Sequence, residues 1–290
     1  MRNAFSSNPI FKLRGGIGNQ LFIYSAGIFL SGESCKIPIY DPTGIDHDEC
    51  ISEIGLPGTF LSPLEVRLLN LMRLSPASIW SKNYLDFTFE IGFSESTINI
   101  PRKSHVSGYF QNSLYAEFCL NRGFFKNLQA QPDTQFLLDK YNEIQSNHGS
   151  ILHLRFGDFL KAKETLGNLS ANYYSRAIKS KEEISQNPIY VMSDDNALAK
   201  KYLQDFKGLN LQFLDHFSEY KSFQLLPLFG AAKQIICANS TFSWWGAFLS
   251  GNARSIIVPS PWFKSPELQS QLSESFYPSH FQRMKSVWIS

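Results

Sequence analysis

The sequence is poor in the residues that build zinc sites and disulfide scaffolds. It has four cysteines, none of them in CxxC spacing, and six histidines that do not cluster. This pattern excludes a zinc ribbon and a disulfide-stapled fold, both of which need closely spaced ligands or paired cysteines. We therefore expect a protein of a reducing compartment.

An excess of charge of one sign is also missing. Lysine and arginine total 27 and aspartate and glutamate total 25, which leaves a formal net charge of +2. A chain this close to neutral has no general attraction for nucleic acid or for an anionic membrane, so any anion-binding site must be local. We expect no nucleic-acid partner.

No apolar run is long enough to suggest a transmembrane helix, which needs about 18 residues. The best candidate, 223–238, is interrupted by a proline and three polar residues, and residues 1–9 lack the apolar core of a signal peptide. We expect a cytoplasmic protein without a transmembrane segment, in contact with the inner face of the membrane only peripherally, if at all.

The chain is long enough for two domains of ordinary size. Residues 145–150 are polar and contain a glycine, so we predict domains at 1–145 and 146–290. The second domain alternates short apolar strands with helices, which predicts a parallel, doubly wound sheet. Its expected strands are 150–155, 189–193, 210–214, 234–238 and 255–258, and its expected helices are 171–180, 196–204, 221–232 and 243–250.

The first domain opens with a strand, a glycine-rich loop and a helix, which is the beginning of a nucleotide-binding βαβ unit. The strand is predicted at 10–13 and the helix at 21–30. The glycines between them let backbone N–H groups approach an anion, although a tight turn without a ligand is the alternative because the spacing is not GxGxxG. Further strands are expected at 35–40 and 103–106, and further helices at 64–74, up to residue 120 and at 135–144, with 46–95 otherwise irregular.

Ligands of parallel sheets bind at the carboxyl ends of the strands, and the second domain has its unusual residues at those ends. His153 and Arg155 follow its first strand. The guanidinium fork of Arg155 suits a phosphate and never loses its charge. An Arg155–Asp158 pair that merely closes a turn explains the pattern equally well.

Two more strand ends carry candidate residues. Asp194 or Asp195 could accept two hydrogen bonds from the edge of a guanine base, or either could cap the helix that follows. Asn239, Ser240 and Thr241 open a helix whose hydroxyl and backbone N–H groups can receive a diphosphate. The alternative is an N-cap with nothing bound.

Aromatic residues make up 14% of the chain, including 25 phenylalanines. Sugar-binding clefts use such rings, but ordinary cores do so more often. Trp244 and Trp245 could stack on a sugar or a base, yet two bulky rings on a helix that packs against a sheet favour the core.

Six blocks of the sequence together resemble a known family. They are Gly-Gly-Ile-Gly-Asn-Gln-Leu-Phe (15–22), Gly-Tyr-Phe-Gln (108–111), His-Leu-Arg-Phe-Gly-Asp-Phe (153–159), Ser-Asp-Asp (193–195), Asn-Ser-Thr-Phe-Ser-Trp-Trp-Gly-Ala-Phe-Leu (239–249) and Val-Pro-Ser-Pro-Trp (258–262). In this order they resemble the α-1,2-fucosyltransferases of glycosyltransferase family 11 over nearly the whole chain. The first, third and fifth blocks are the specific ones.

The resemblance implies an α/β protein with a GT-B fold, in which two Rossmann-like domains face each other across a cleft. The carboxyl-terminal domain would bind GDP-fucose, and the amino-terminal domain would present the acceptor. The implied enzyme is a galactoside α-1,2-fucosyltransferase. It would move L-fucose from GDP-β-L-fucose, with inversion, to the 2-hydroxyl of a terminal β-galactoside on a bacterial glycan or oligosaccharide.

The β-phosphate of GDP gains negative charge as the glycosidic bond breaks, and preorganised donors stabilise such charge. We assign Arg155 to this phosphate, together with the backbone from Ser240 to Phe242, and expect no metal or other cofactor. The resemblance implies that Asn19 reaches the phosphate or the fucose, and that the guanosine is held by His153 with Asp194 or Asp195. The expected donor-binding set is Gly16, Gly18, Asn19, His153, Arg155, Asp194, Asp195, Asn239, Ser240, Thr241 and Phe242.

Asp158 is the candidate general base, since a carboxylate near the acceptor hydroxyl can take its proton. Two alternatives are that Asp158 only braces the turn at Gly157, and that the reaction follows an oxocarbenium-like path with little base assistance. Asp46, His47 and Asp48 resemble the DxD that holds a metal in many sugar-nucleotide transferases. We do not expect metal binding there, because short acidic patterns in polar loops arise often by chance.

The chain departs from the family at Phe156, where members usually carry a second arginine. The related protein O-fucosyltransferases also tolerate an apolar residue there, so we expect Arg155 to be the essential one. The departure removes one positive charge beside the donor. Two alternatives to this enzyme are open, and Phe156 encourages only the second. One is a different linkage, including transfer to a protein hydroxyl, and the other is a nucleotide-sugar-binding protein without catalysis.

Overall fold

The computed structural model describes residues 9–31, 36–38, 51–62, 64–68, 85–88, 104–215 and 219–289. Its chain divides into two compact units: the first contains Met1–Asn127 and Gln271–Tyr277, and the second contains Leu128–Ser270 and Pro278–Ser290. This division lies before the predicted boundary at 145/146. The reason is the helix Gln135–Ser146, which the second unit holds through a hydrogen bond from Tyr190 Oη to Glu143 Oε1 (3.2 Å).

The first unit contains a parallel sheet with the strand order β3-β2-β1-β5-β4. Two helices, α1 (Ile17–Ser31) and α2 (Ser113–Asn121), follow the two strands at its centre. Strands β3 and β4 both lie in the region 46–95, which showed only an irregular sequence pattern apart from the predicted helix at 64–74. The strands are β1 (Ile10–Phe11), β2 (Lys36–Pro38), β3 (Thr59–Leu61), β4 (Leu85–Thr88) and β5 (Ser104–Ser107).

The second unit contains a six-stranded parallel sheet with the order β11-β10-β9-β6-β7-β8. Counted within this unit, the order is the 3-2-1-4-5-6 arrangement of doubly wound nucleotide-binding folds. The five predicted strands and the Rossmann-like α/β class are confirmed. The sixth strand, β11, escaped prediction. The strands are β6 (Ser150–Leu154), β7 (Ile189–Ser193), β8 (Leu211–Phe213), β9 (Gln234–Ile236), β10 (Ser255–Ser260) and β11 (Gln282–Lys285).

The helices predicted from residue 126 onward are present with one change of type, and the structure adds three short helices that were not predicted, at 126–129, 182–186 and 266–270. The predicted helix 221–232 becomes a short α-helix followed by the 3-10 helix Leu226–Ala231, because Pro227 has no N–H for an α-helical hydrogen bond. The helices are α3 (Lys126–Gln129), α4 (Gln135–Ser146), α5 (Ala171–Lys179), α6 (Glu182–Gln186), α7 (Asn196–Tyr202), α8 (Ser222–Leu225), α9 (Thr241–Leu249) and α10 (Pro266–Ser270).

Strand β6 serves both the core and the site, because neighbouring side chains on a strand point to opposite faces. Leu152 and Leu154 are buried in an apolar cluster that includes residues of α5 and α7. His153 lies between them in sequence, and its ring contacts Phe242 of α9 instead. The core therefore fixes the strand that carries the site.

Helix α9 is buried along nearly its whole length. Trp244 and Trp245 are fully buried and pack edge-to-face with their ring centroids 5.2 Å apart. Gly246 lies so close to the ring of Phe229 that an added Cβ would be 2.4 Å from it. The preferred interpretation of the two tryptophans as core residues is confirmed.

Candidate active site

The sequence-predicted residues of the second unit meet at the point where the strand order reverses. Strands β6 and β9 are neighbours there, with Leu152 paired to Ile236. Loops that leave the carboxyl ends of two such strands border the ligand crevice of a doubly wound sheet. Arg155 follows β6, and Ser240 precedes α9 in the connection from β9. The rings of His153 and Phe242 are in contact, with their centroids 5.4 Å apart, so the two connections lie next to each other.

Arg155 is held by an ion pair with Asp194. The distance from Arg155 Nη1 to Asp194 Oδ2 is 3.2 Å, and the two side chains are 24% and 22% exposed. The guanidinium carbon also lies 5.6 Å from the centroid of the Phe159 ring. The arginine is therefore oriented, yet it keeps enough exposure to meet an anion from solution.

The peptide group between Arg155 and Phe156 is fixed from both sides. The Phe156 N–H donates to Asp194 Oδ1 (2.9 Å), and Asn168 Nδ2 donates to the Arg155 carbonyl oxygen (3.2 Å). Sequence reasoning did not select Asn168, because it lies 13 residues after Arg155 and outside every block of the resemblance. Only the fold brings it to the site.

His153 is buried and neutral. It is 4% exposed, and burial, assisted by the positive charge of Arg155, lowers its pKa from 6.5 to about 3. Its Nδ1 atom has no hydrogen-bond partner within the described part of the chain. A buried polar atom without a partner is costly, by about 1–3 kcal/mol, so a ligand that supplies one gains that interaction.

Asp194 and Asp195, which the sequence left as alternatives, have different contacts. Asp195 is the N-cap of α7, where its Oδ1 accepts from the Leu198 N–H (2.9 Å). Asp194 binds Arg155 instead. The capping alternative therefore holds for the second carboxylate of the pair.

The residues at the start of α9 differ in their contacts and in their exposure. Asn239 is buried, and its Nδ2 donates to the carbonyl oxygens of Leu166 and Gly167, both at 3.0 Å. Ser240 is the N-cap residue, but its side chain makes no capping hydrogen bond. Thr241 and Phe242 are partly exposed. Asn239 holds the loop that contains Asn168, and the next three residues form the start of the helix.

The glycine loop of the first unit meets the second sequence block at the centre of that unit's sheet. Gln111 Nε2 donates to Asn19 Oδ1 (3.0 Å), and the Gly16 carbonyl oxygen accepts from the Asn19 N–H (2.9 Å). Gly15 has a φ of +66°, and a Cβ there would lie 2.6 Å from Asn19 Nδ2. Gly18 is buried within α1. Glycine at position 15 thus permits both the turn and the position of the asparagine.

Arg14 lies at the same edge and was not among the predicted residues. Its Nη1 donates to Ser107 Oγ (3.4 Å), and its guanidinium carbon is 5.4 Å from the ring centroid of Tyr109. The signal that could have identified it is an arginine directly after a strand and directly before a glycine loop. It adds a positive charge beside Asn19's loop.

The model of one protein family, Glycosyl transferase family 11, matches residues 80–281. This match covers well over half of the chain and contains the Arg155 and α9 regions. The chain belongs to glycosyl transferase family 11. Like other members of this family, it is a glycosyltransferase.

Two proteins from Escherichia coli are similar to this family 11 chain. An alpha-1,2-colitosyltransferase is 28% identical over 288 residues, which cover 90% of this chain and 94% of that protein. The O-antigen biosynthesis glycosyltransferase WbnK is 34% identical over 119 residues, 39% of this chain and 38% of that protein.

Solved structures are also similar to this family 11 chain. NodZ alpha-1,6-fucosyltransferase, soaked with GDP-fucose, is 15% identical, with 88% of this chain and 96% of that chain covered and a TM-score of 0.46. POFUT1 in complex with GDP is 11% identical, with coverage of 86% and 96% and a TM-score of 0.40.

Some expectations for this family 11 glycosyltransferase depend on residues that lie partly or wholly outside the described part of the chain. Asp158 begins the 3-10 helix Asp158–Leu160, but its side chain lies outside the described residues, so the candidate general base stays a prediction. The acidic pattern at 46–48 lies outside them as well. Among the residues that are described, no group of three metal-ligating side chains occurs, and no helix is long and apolar enough to cross a membrane.

Proposed function

We propose that this glycosyltransferase transfers L-fucose from GDP-β-L-fucose to the 2-hydroxyl of a terminal β-galactoside with inversion. The observation that carries the proposal is that Arg155 and the start of α9 follow two neighbouring strands, β6 and β9, at the strand-order reversal of a family 11 chain. In this proposal the second unit binds the donor and the first unit presents the acceptor.

Arg155 would stabilise the departing GDP. The β-phosphate gains charge in the transition state, and a guanidinium that is already oriented stabilises it without reorganising. The backbone N–H groups from Ser240 to Phe242 add the partial positive charge of a helix N-terminus. These donors are the basis for proposing that the reaction needs no metal.

His153 would hold the guanosine. Its neutral imidazole has one nitrogen, Nδ1, with no hydrogen-bond partner among the residues that the structure describes, and an uncharged hydrogen-bonding group such as a ribose hydroxyl or a base would satisfy it. Asn19, together with Gly16 and Gly18, would contribute to donor binding from the glycine loop. Asp158 would take the proton from the acceptor hydroxyl.

The test is donor turnover with the purified protein. GDP-fucose would be supplied with lactose or N-acetyllactosamine in EDTA, while GDP release and the linkage of the product are followed. Formation of α-1,2-fucosylated galactose without metal is the expected result. A different linkage would identify another fucosyltransferase. Stabilisation by GDP-fucose without turnover would mean that the right acceptor is missing from the assay or that the activity is lost. No binding of GDP-fucose would refute the proposal.

A second candidate donor is GDP-colitose, which is favoured by the similarity to an alpha-1,2-colitosyltransferase over 90% of this chain. Colitose is L-fucose without its 3-hydroxyl group. A site that hydrogen-bonds this hydroxyl discriminates by about 10⁴–10⁵ against the analogue that lacks it, whereas an apolar site discriminates weakly. The ratio of kcat/KM for the two donors, measured with one acceptor, decides between them.

A further inference from the structure

The two oxygens of the Asp194 carboxylate bind two different groups, the Arg155 guanidinium and the Phe156 N–H. Its Oδ2 atom lies 3.2 Å from Arg155 Nη1, and its Oδ1 atom accepts the Phe156 N–H at 2.9 Å. We propose that Asp194 is a positioning residue that fixes the guanidinium of Arg155 toward the diphosphate, and that it does not recognise the guanine base. This inference rests on the proposed function, because it assigns Arg155 to the donor.

The local backbone supports a positioning role. Asn168 holds the carbonyl oxygen of the same peptide group whose N–H is bound by Asp194. Asn239 in turn anchors the two residues before Asn168 through the carbonyl oxygens of Leu166 and Gly167. The segment therefore cannot rotate about this peptide without breaking a hydrogen bond, and Asp194 transmits that rigidity to the arginine side chain.

Gly157 leaves the space that the Asp194 carboxylate occupies. A Cβ at position 157 would lie 2.6 Å from Asp194 Oδ2, the oxygen that binds Arg155. Any side chain here would displace that oxygen, since real contacts at this distance are not observed. The glycine in the block at 153–159 is therefore explained by the ion pair.

Recognition of guanine would need a different arrangement. An aspartate that reads the guanine edge directs its two oxygens at two adjacent N–H groups of the base. In Asp194 these oxygens are directed at a side chain and a peptide N–H of its own unit. The neighbouring carboxylate of Asp195 faces the first turn of α7.

The experiment compares nucleotide affinities of the wild type and Asp194→Asn. The amide oxygen of asparagine still accepts the Phe156 N–H, while the charge that faces Arg155 is lost. The affinity of GDP relative to guanosine measures the diphosphate contribution, and the affinity of GDP relative to IDP measures recognition of the guanine 2-amino group. Calorimetry or ligand-induced shifts in Tm give both ratios.

If Asp194 positions Arg155, the preference for GDP over guanosine falls about tenfold or more, while the preference for GDP over IDP is unchanged. In turnover with GDP-fucose, kcat then falls by up to about 10²-fold, the cost of misplacing a group by about 1 Å. A fall in the GDP-over-IDP ratio, or no change in either ratio, would overturn the proposal.

Gly157→Ala tests the same contact from the opposite side, because the added methyl group displaces Asp194 Oδ2. We expect the same loss of the preference for GDP over guanosine. The double variant, Asp194→Asn with Gly157→Ala, should lose no more of this preference than the more affected single variant. Asp139→Asn, the same chemical change on the surface of α4, is the matched control and should leave both ratios unchanged. A wild-type protein that does not bind GDP would refute the donor assignment itself, before any variant is compared.

Discussion

Phe156 packs edge-on against Tyr202, with the two ring centroids 5.3 Å apart and an interplanar angle of 75°. Phe156 is 3% exposed and belongs to the apolar cluster between the sheet of the second unit and its helices. This is the position where the family resemblance led us to expect a second arginine. In this chain the side chain contributes to the core, while its peptide N–H contributes to the site.

An arginine at position 156 should therefore destabilise the protein. We expect Phe156→Arg to lower the free energy of unfolding by about 3–5 kcal/mol, because an unpaired charge would enter an apolar cluster. Chemical denaturation measures the change, and Phe156→Leu is the control that keeps the site apolar and should cost clearly less. A stable Phe156→Arg variant with tighter GDP binding would contradict this.

The close approach of Gly246 to Phe229 leads to a second prediction. Gly246→Ala adds a methyl group 2.4 Å from the Phe229 ring, so we expect overpacking to cost about 1–3 kcal/mol. Gly251→Ala is the matched control, since a Cβ there meets no heavy atom of the described residues within 4 Å. Equal stability of the two variants, measured by denaturation, would show that α9 moves freely enough to absorb the methyl group.

The fold of the second unit could be read from the sequence because its strands are short, apolar and separated by regular helices. Strand β11 could not, since its residues, Gln282–Lys285, are mostly exposed at the edge of the sheet and show no apolar alternation. Strands β3 and β4 lie in a stretch without clear periodicity. Edge strands gain their stability from pairing with a neighbour, which no local pattern reveals.

The chemically distinctive residues of the candidate site could be predicted from the sequence, but the residues that hold them in place could not. His153, Arg155 and the start of α9 follow predicted strands, so topology alone places them at one edge. The different contacts of Asp194 and Asp195 depend on the directions of their side chains, which the sequence does not show. Asn168 reaches the Arg155 carbonyl through a loop whose course no sequence pattern indicates. Such contacts arise only when the chain has folded.

The depressed pKa of His153 predicts a dependence of stability on pH. Its pKa is about 3 in the folded protein, below the ordinary value of 6.5, so between these values the unfolded chain binds more protons. This stabilising contribution is complete above about pH 6.5 and is lost as the pH falls toward 3. In the absence of nucleotide, the wild type should therefore lose more stability over this range than His153→Gln.

Denaturation curves at several pH values measure the difference. His280→Gln, at an exposed histidine of the same unit, is the control and should follow the wild type. Parallel pH profiles for the wild type and His153→Gln would mean that His153 is not buried as a neutral group.

Arg155 gives the most direct test of the site. We expect Arg155→Ala to lower kcat by at least about 10²–10³, the usual effect of losing one charge-stabilising donor. Its stability should change by no more than about 1 kcal/mol, because the ion pair with Asp194 is partly exposed. Arg155→Lys keeps the charge but loses the planar fork, so it should fall between the alanine variant and the wild type. Near-wild-type turnover of a folded Arg155→Ala protein would show that Arg155 does not stabilise the phosphate. The positioning role of Asp194, which depends on that assignment, would then be refuted as well.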